Sequence, residues 1–129
     1  MNTDTAPTDL NDDDRTAGLL AWQLEHYPEG HTTRANLVLH AVTAPAFSAG
    51  TLAVLAAPFI SAWFALGGLL MVAALAGQGR GHRAESRRPI PFHGPGDFIA
   101  RFFVEQWVTF PRFVLGGGFA RAWRRAART

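Results

Sequence analysis

The chain of 129 residues contains no cysteine. That absence excludes disulfides, thiolate zinc sites, iron–sulfur clusters and a cysteine nucleophile, so a bound metal must rest on histidine and carboxylate. Lysine is missing as well, and all twelve basic residues are arginine. A local absence says more: residues 35 to 78 hold no Asp, Glu, Arg or Lys, and His40 is the one histidine among them. A chain of this length supports about one domain, and it has too little polar surface to cover so long an uncharged stretch in water. The net charge of +2 conceals a split between an acidic start (Asp4, Asp9, Asp12, Asp13, Asp14) and a basic end (Arg121, Arg124, Arg125, Arg128). A basic end beside an apolar run points to anionic lipid headgroups and away from nucleic acid.

What is present reads as an all-α integral membrane protein. Residues 1–16 are polar, acidic and poor in large apolar side chains, the composition of a disordered tail. Their negative charge does not fit a secretory signal. Leu20, Leu24 and Tyr27 follow at helical spacing, with Pro28 ending a short interfacial helix. Thr32 or Thr33 can cap a transmembrane helix over about 34–57, broken at Pro58, and a second spans about 59–78. Pro45 is expected to kink the first. Small residues (Ala49, Gly50, Ala53, Ala57; Ala62, Ala65, Gly68) suit a tight antiparallel hairpin. Arg34 before it and Arg80, Arg83, Arg87 and Arg88 after it place both termini in the cytoplasm, as in a bacterial inner membrane. Beyond a Pro/Gly loop, residues 96–110 form an amphipathic helix expected at the interface, its Phe and Trp stripe assigned to membrane-facing packing. The single membrane domain covers 17–118, and 119–129 is a basic tail.

Polar residues collect at the mouth of this hairpin. Asn36 and His40 are four apart and share a helix face, and His31 can join them only from a non-helical segment before the cap. Antiparallel pairing about a turn near residues 58 and 59 sets Asn36 level with His82, and Glu85 lies three residues further on. Polar groups beside hydrocarbon mark functional sites. Three imidazoles with one carboxylate suit Fe(II), Zn or Mn. Tyr27, four residues before His31, can donate to a ligand or substrate, whereas His26 and His93 read as headgroup or loop residues.

The same residues resemble a known family, the small membrane proteins typified by the fungal Fe(II)-dependent dioxygenase of 2-hydroxy fatty acids, which has many short bacterial members. Its first block, Y-x3-H-x4-N-x3-H-x4-P, is matched by Tyr27, His31, Asn36, His40 and Pro45. Its second, GH with an acidic residue and then x3-P, is matched by Gly81, His82, Glu85 and Pro89. "EQWVTFPRFVLGGG" is similar to the tail of the short members. The chain departs from the fungal type in having two residues between His82 and Glu85 where three are expected, in a loop richer in Gly and Arg, and in its shorter length. The resemblance implies fatty acid α-oxidation: a 2-hydroxy fatty acid and O2 react at Fe(II), the C1–C2 bond breaks, and an acid one carbon shorter leaves. It implies His31, His40 and His82 as metal ligands, with Asn36, Tyr27 and Glu85 as catalytic neighbours.

Five histidines are too few for a di-iron membrane hydroxylase. The competing expectation is a non-enzymatic hairpin that binds anionic lipid or a membrane partner and self-associates through its Ala and Gly faces.

Overall fold

The computed structural model describes residues 15–126, and the described residues form helices and turns without a strand. Most of the expected acidic tail therefore lies outside the described residues. Arg15, assigned to that tail, is engaged: its guanidinium donates to Asp97 at 2.6 and 3.3 Å and lies 4.5 Å over the Trp22 ring.

Helix α1 (Leu19–His26) runs through a 3-10 turn (Tyr27–Gly30) to the first long helix, α2 (Arg34–Ala56). Thr33 caps α2 in an extended conformation, its hydroxyl accepting from the Asn36 N–H at 3.3 Å. Helix α2 stays continuous through Pro45. The chain reverses over 57–61, and Ser61 caps a 3-10 turn (Ala62–Leu66) that feeds α3 (Gly67–Arg83). Counted with its 3-10 turn, the second helical segment (Ala62–Arg83) starts three residues later than expected, and it ends five residues later because Gly77, Gly79 and Gly81 all remain helical.

Backbone proximity explains those glycines. A Cβ on Gly50 would meet the Gly67 carbonyl at 2.6 Å, and one on Gly67 would meet Ala53 Cβ at 2.7 Å. Nearer the mouth, a Cβ on Gly81 would collide with the Asn36 amide. Glycine lets α2 and α3 touch along their length, and the packing repays its poor helix propensity.

Both segments, Arg34–Ala56 and Ala62–Arg83, are long and apolar enough to cross a membrane. Their outward faces carry large apolar side chains that no other element covers, such as Val42, Leu55 and Leu69, and at the turn Phe59 and Trp63 are 87% and 78% exposed. Water wets a continuous surface of this kind at high cost.

The rest of the chain wraps the mouth. Helix α4 (Pro95–Val104) passes through a π-helical turn (Glu105–Thr109) into α5 (Phe110–Leu115), and α6 (Gly118–Ala126) folds back after Gly117, whose φ of 75° suits glycine. The amphipathic segment is therefore longer than 96–110, and Pro111 lies within the first turn of α5 without interrupting the helical run. Its aromatic stripe divides: Phe103 and Trp107 remain exposed, whereas Phe110, with Phe113 beyond it, packs with Tyr27, Leu37, Ala44 and Ala122, and Phe102 packs with Phe47 and Ala74. The basic C-terminal stretch is also docked, with Phe119 and Trp123 on the first cluster and Arg34 lying 4.5 Å over Trp123.

Candidate metal centre

His31 sits between the 3-10 turn and the α2 cap with φ −132° and ψ 64°, off any helix, so its ring folds back over the helix mouth. Its Nδ1 lies 2.8 Å from the Tyr27 carbonyl. One turn into α2, His40 Nδ1 lies 3.0 Å from the Asn36 carbonyl. A carbonyl only accepts, so both Nδ1 atoms must carry a proton, and in the neutral ring Nε2 is the atom left to bind a metal.

The two rings converge. The His31 and His40 ring centroids are 4.4 Å apart, and His82, from the last turn of α3, stands 5.1 and 5.0 Å from them. Glu105, at the start of the π-helical turn, closes the set, and one ligand atom from each of His31, His40, His82 and Glu105 lies within 4.8 Å of the others. A cation about 2.0–2.2 Å from each ligand keeps neighbouring ligand atoms roughly 3–4.5 Å apart, so the cluster needs little contraction to hold one.

The polar accounting supports that fit. His31 Nε2, His40 Nε2 and Glu105 Oε1 are buried without a hydrogen-bond partner, although His40 Nε2 and Glu105 Oε1 are 3.3 Å apart. Leaving one such group unsatisfied costs about 1–3 kcal/mol. Three aimed at one point are a poor way to build a core and a good way to build a cation site. Electrostatics agree outside the long helices. Burial, then the neighbouring His40, lowers His31 to about 3, which keeps its imidazole neutral as a ligand must be. Burial opposes ionisation of Glu105, but the surrounding imidazoles, His40 foremost, hold it below the ordinary carboxylate range.

The other expected residues have different placements. Glu85 does not join the cluster. Its carboxylate accepts from the backbone N–H groups of Thr32 and Thr33 at 3.0–3.1 Å, from both threonine hydroxyls, and from Asn36 Nδ2 at 2.9 Å. It thereby satisfies the donors at the start of α2 and complements the helix dipole. Burial opposes its charge, and these donors, the Thr32 hydroxyl first, hold its pKa below the usual value. Asn36 also donates to the Gly30 carbonyl at 3.0 Å, so its side chain braces the mouth while its carbonyl orients His40. Tyr27 stacks on His31 with centroids 3.9 Å apart. Its buried hydroxyl has no hydrogen-bond partner, and burial, then the Glu105 charge, raises its pKa well above the usual value. His26 bonds the Trp22 carbonyl, and neither it nor His93 joins the cluster.

Glu105 is the residue sequence reasoning passed over, as one charge on the polar side of an amphipathic helix. A π turn supplies its aim, since the Phe110 N–H bonds the Glu105 carbonyl five residues back and shifts the helix face. The turn is pinned by a buried polar chain. Gln106 and Gln78 exchange reciprocal amide bonds of 2.8 Å, Gln78 also donates to Thr43, and Thr109 donates to Gln23 at 3.3 Å.

Beside the centre lies a cavity of about 580 Å³, with His82 and Glu105 in its wall together with Phe98 and Phe102. Phe98 and Phe102 of the aromatic stripe therefore line this open cavity. Comparison of the chain with protein-family models, curated proteins and solved structures returns no match.

Proposed function

We propose that this protein is a membrane-embedded non-haem Fe(II) dioxygenase that shortens 2-hydroxy fatty acids by one carbon. The observation that carries the reading is the convergence of four ligand atoms, three of them buried and unpartnered, beside an open cavity at the mouth of an apolar hairpin. Three imidazoles and one carboxylate leave an octahedral cation two free positions, enough for a chelating substrate or for substrate and O2. Fe(II), when bound, supplies the electron transfer that lets O2 react with a 2-hydroxy acid. The overall change balances as R–CH(OH)–COOH plus O2 giving R–COOH, CO2 and water.

The protein's own groups do the rest. His31 and His40 are locked as Nδ1–H tautomers by backbone carbonyls, so their ligand atoms are oriented before any metal arrives. Tyr27 holds a neutral hydroxyl against His31 and near Glu105, placed to donate a proton to an oxygen at the centre. The buried ring of Phe110, Phe113 and Leu37 excludes water from the His31 and His40 side, leaving the cavity as the approach. In this reading the hairpin inserts with Arg34, Arg80, Arg83, Arg87 and Arg88 on the cytoplasmic side of a bacterial inner membrane, and the acyl chain of the substrate stays in the hydrocarbon.

The test is elemental analysis of protein purified without chelators, with oxygen uptake on adding a 2-hydroxy fatty acid. Stoichiometric iron and substrate-dependent uptake are expected, and His40→Ala abolishes both. A second reading, a structural hairpin fixed to anionic lipid, is favoured by the exposed Arg121, Arg124 and Arg125 of α6. Metal-free protein whose lipid binding is indifferent to His40→Ala would establish that one.

A further inference from the structure

The cavity is built asymmetrically along α3. Leu75, Gln78, His82 and Arg83 recur at helical spacing in its wall, so it follows one face of the helix from the apolar stretch to the charged end. Leu75 and Arg83 are eight residues apart, about 12 Å along the axis. Leu75 packs against the cluster of Phe47, Ala74 and Phe102, and Phe98 stacks on Phe102, while Glu105 joins His82, the neighbour of Arg83; Arg88 shares the same wall. Its volume is within the range of pockets that hold one small molecule, roughly 300–1,000 Å³.

The arginines there differ in their commitments. Arg87 pairs with Glu29, and Arg101, also in the wall, donates to the Ile90 and Pro91 carbonyls and lies 3.7 Å from Asp97. Arg83 and Arg88 make no ion pair among the described residues, and both reach the cavity. Topology alone requires positive charge on this side of the membrane, but it does not require that two exposed, unpaired arginines border an open cavity with apolar walls.

We propose that this cavity binds one single-chain anionic amphiphile, its tail along Leu75, Phe98 and Phe102 and its carboxylate against Arg83 and Arg88. These two arginines select the free acid over its esters. The reacting position beside His82 rests on the function proposed above, whereas the binding itself does not. It follows that the substrate arrives unesterified, so a hydrolytic reaction must release it from any lipid that carries it.

Binding is read without turnover by photolabelling the full chain, anaerobically in phosphatidylcholine nanodiscs, with a diazirine-bearing hexadecanoic acid. Labelled peptides are expected to contain Leu75 and Phe98–Phe102, with protection by excess hexadecanoic acid and none by its methyl ester. Arg83→Gln/Arg88→Gln is expected to weaken protection by the acid by roughly tenfold or more. Leu75→Trp, which fills the apolar end, should remove the specific label while His-dependent iron binding persists. Equal protection by acid and ester, wild-type protection in the arginine double variant, or persistent specific labelling of Leu75→Trp would each overturn the proposal. The two readings fail separately. Acid-selective labelling without oxygen uptake removes the oxidation, and turnover indifferent to the arginine variant removes the selection.

Discussion

Two glutamates at the mouth illustrate how neighbouring carboxylates divide between structure and chemistry. Glu85 accepts from donors on Thr32, Thr33 and Asn36, and has no need of a cation. Glu105 has a buried oxygen with no hydrogen-bond partner and three imidazoles around it. Their substitutions should diverge. Glu105→Gln is expected to lower metal affinity at least tenfold with little change in melting temperature. Glu85→Ala is expected to destabilise by about 1–3 kcal/mol, read as a lower melting temperature in detergent, because it orphans donors at the α2 start. Metal content falling with Glu85→Ala at full thermal stability would reverse these assignments. His31 and His40 were legible beforehand because their constraint is local: Thr33 caps the start of α2, which leaves His31 outside the helix, and four-residue spacing aligns Asn36 with His40. Glu105 was not, because its aim depends on how α4 and α5 dock, a tertiary fact with no local signature.

At the scale of elements, the hairpin register was nearly readable. Pairing about residues 58 and 59 sets Asn36 opposite His82, and the structure packs Asn36 on Gly81. Gly77, Gly79 and Gly81 leave the end of α3 open in the sequence between a helical and an irregular form, and all three are helical, with Gly77 and Gly81 close against Thr43 and Asn36 of α2. The π turn was invisible for a related reason. It inserts one residue's worth of rotation that only the Gln78–Gln106 and Gln23–Thr109 bonds make worthwhile. Deleting Trp107, and with it the one residue the π turn holds in excess of an α-helix, should restore regular bonding, keep the faces of α4 and α5, and change how Glu105 sits against them. The expected result is unchanged helicity by circular dichroism with loss of metal binding. Retained metal stoichiometry in the deletion would show that the turn does not aim Glu105.

For the molecule as a whole, the distribution of apolar surface is the dominant fact. The polar and aromatic cores gather at one end, around the His/Glu cluster, while the hairpin shaft and its turn are dressed in Leu, Val, Phe and Trp. Absence of cysteine makes the proposed topology easy to test, since an introduced thiol is the only one present. With intact cells, Ser61→Cys at the turn should react with a membrane-impermeant maleimide from outside, and Ser86→Cys at the mouth only after the membrane is opened. Labelling of both or neither from outside would contradict the orientation. The turn over 57–61 carries another consequence. It has no charge and no long polar side chain, so inserting this hairpin from the cytoplasm obliges no hydrophilic cargo to pass through hydrocarbon. Under the proposed topology its assembly therefore moves no charged loop across the electrical gradient.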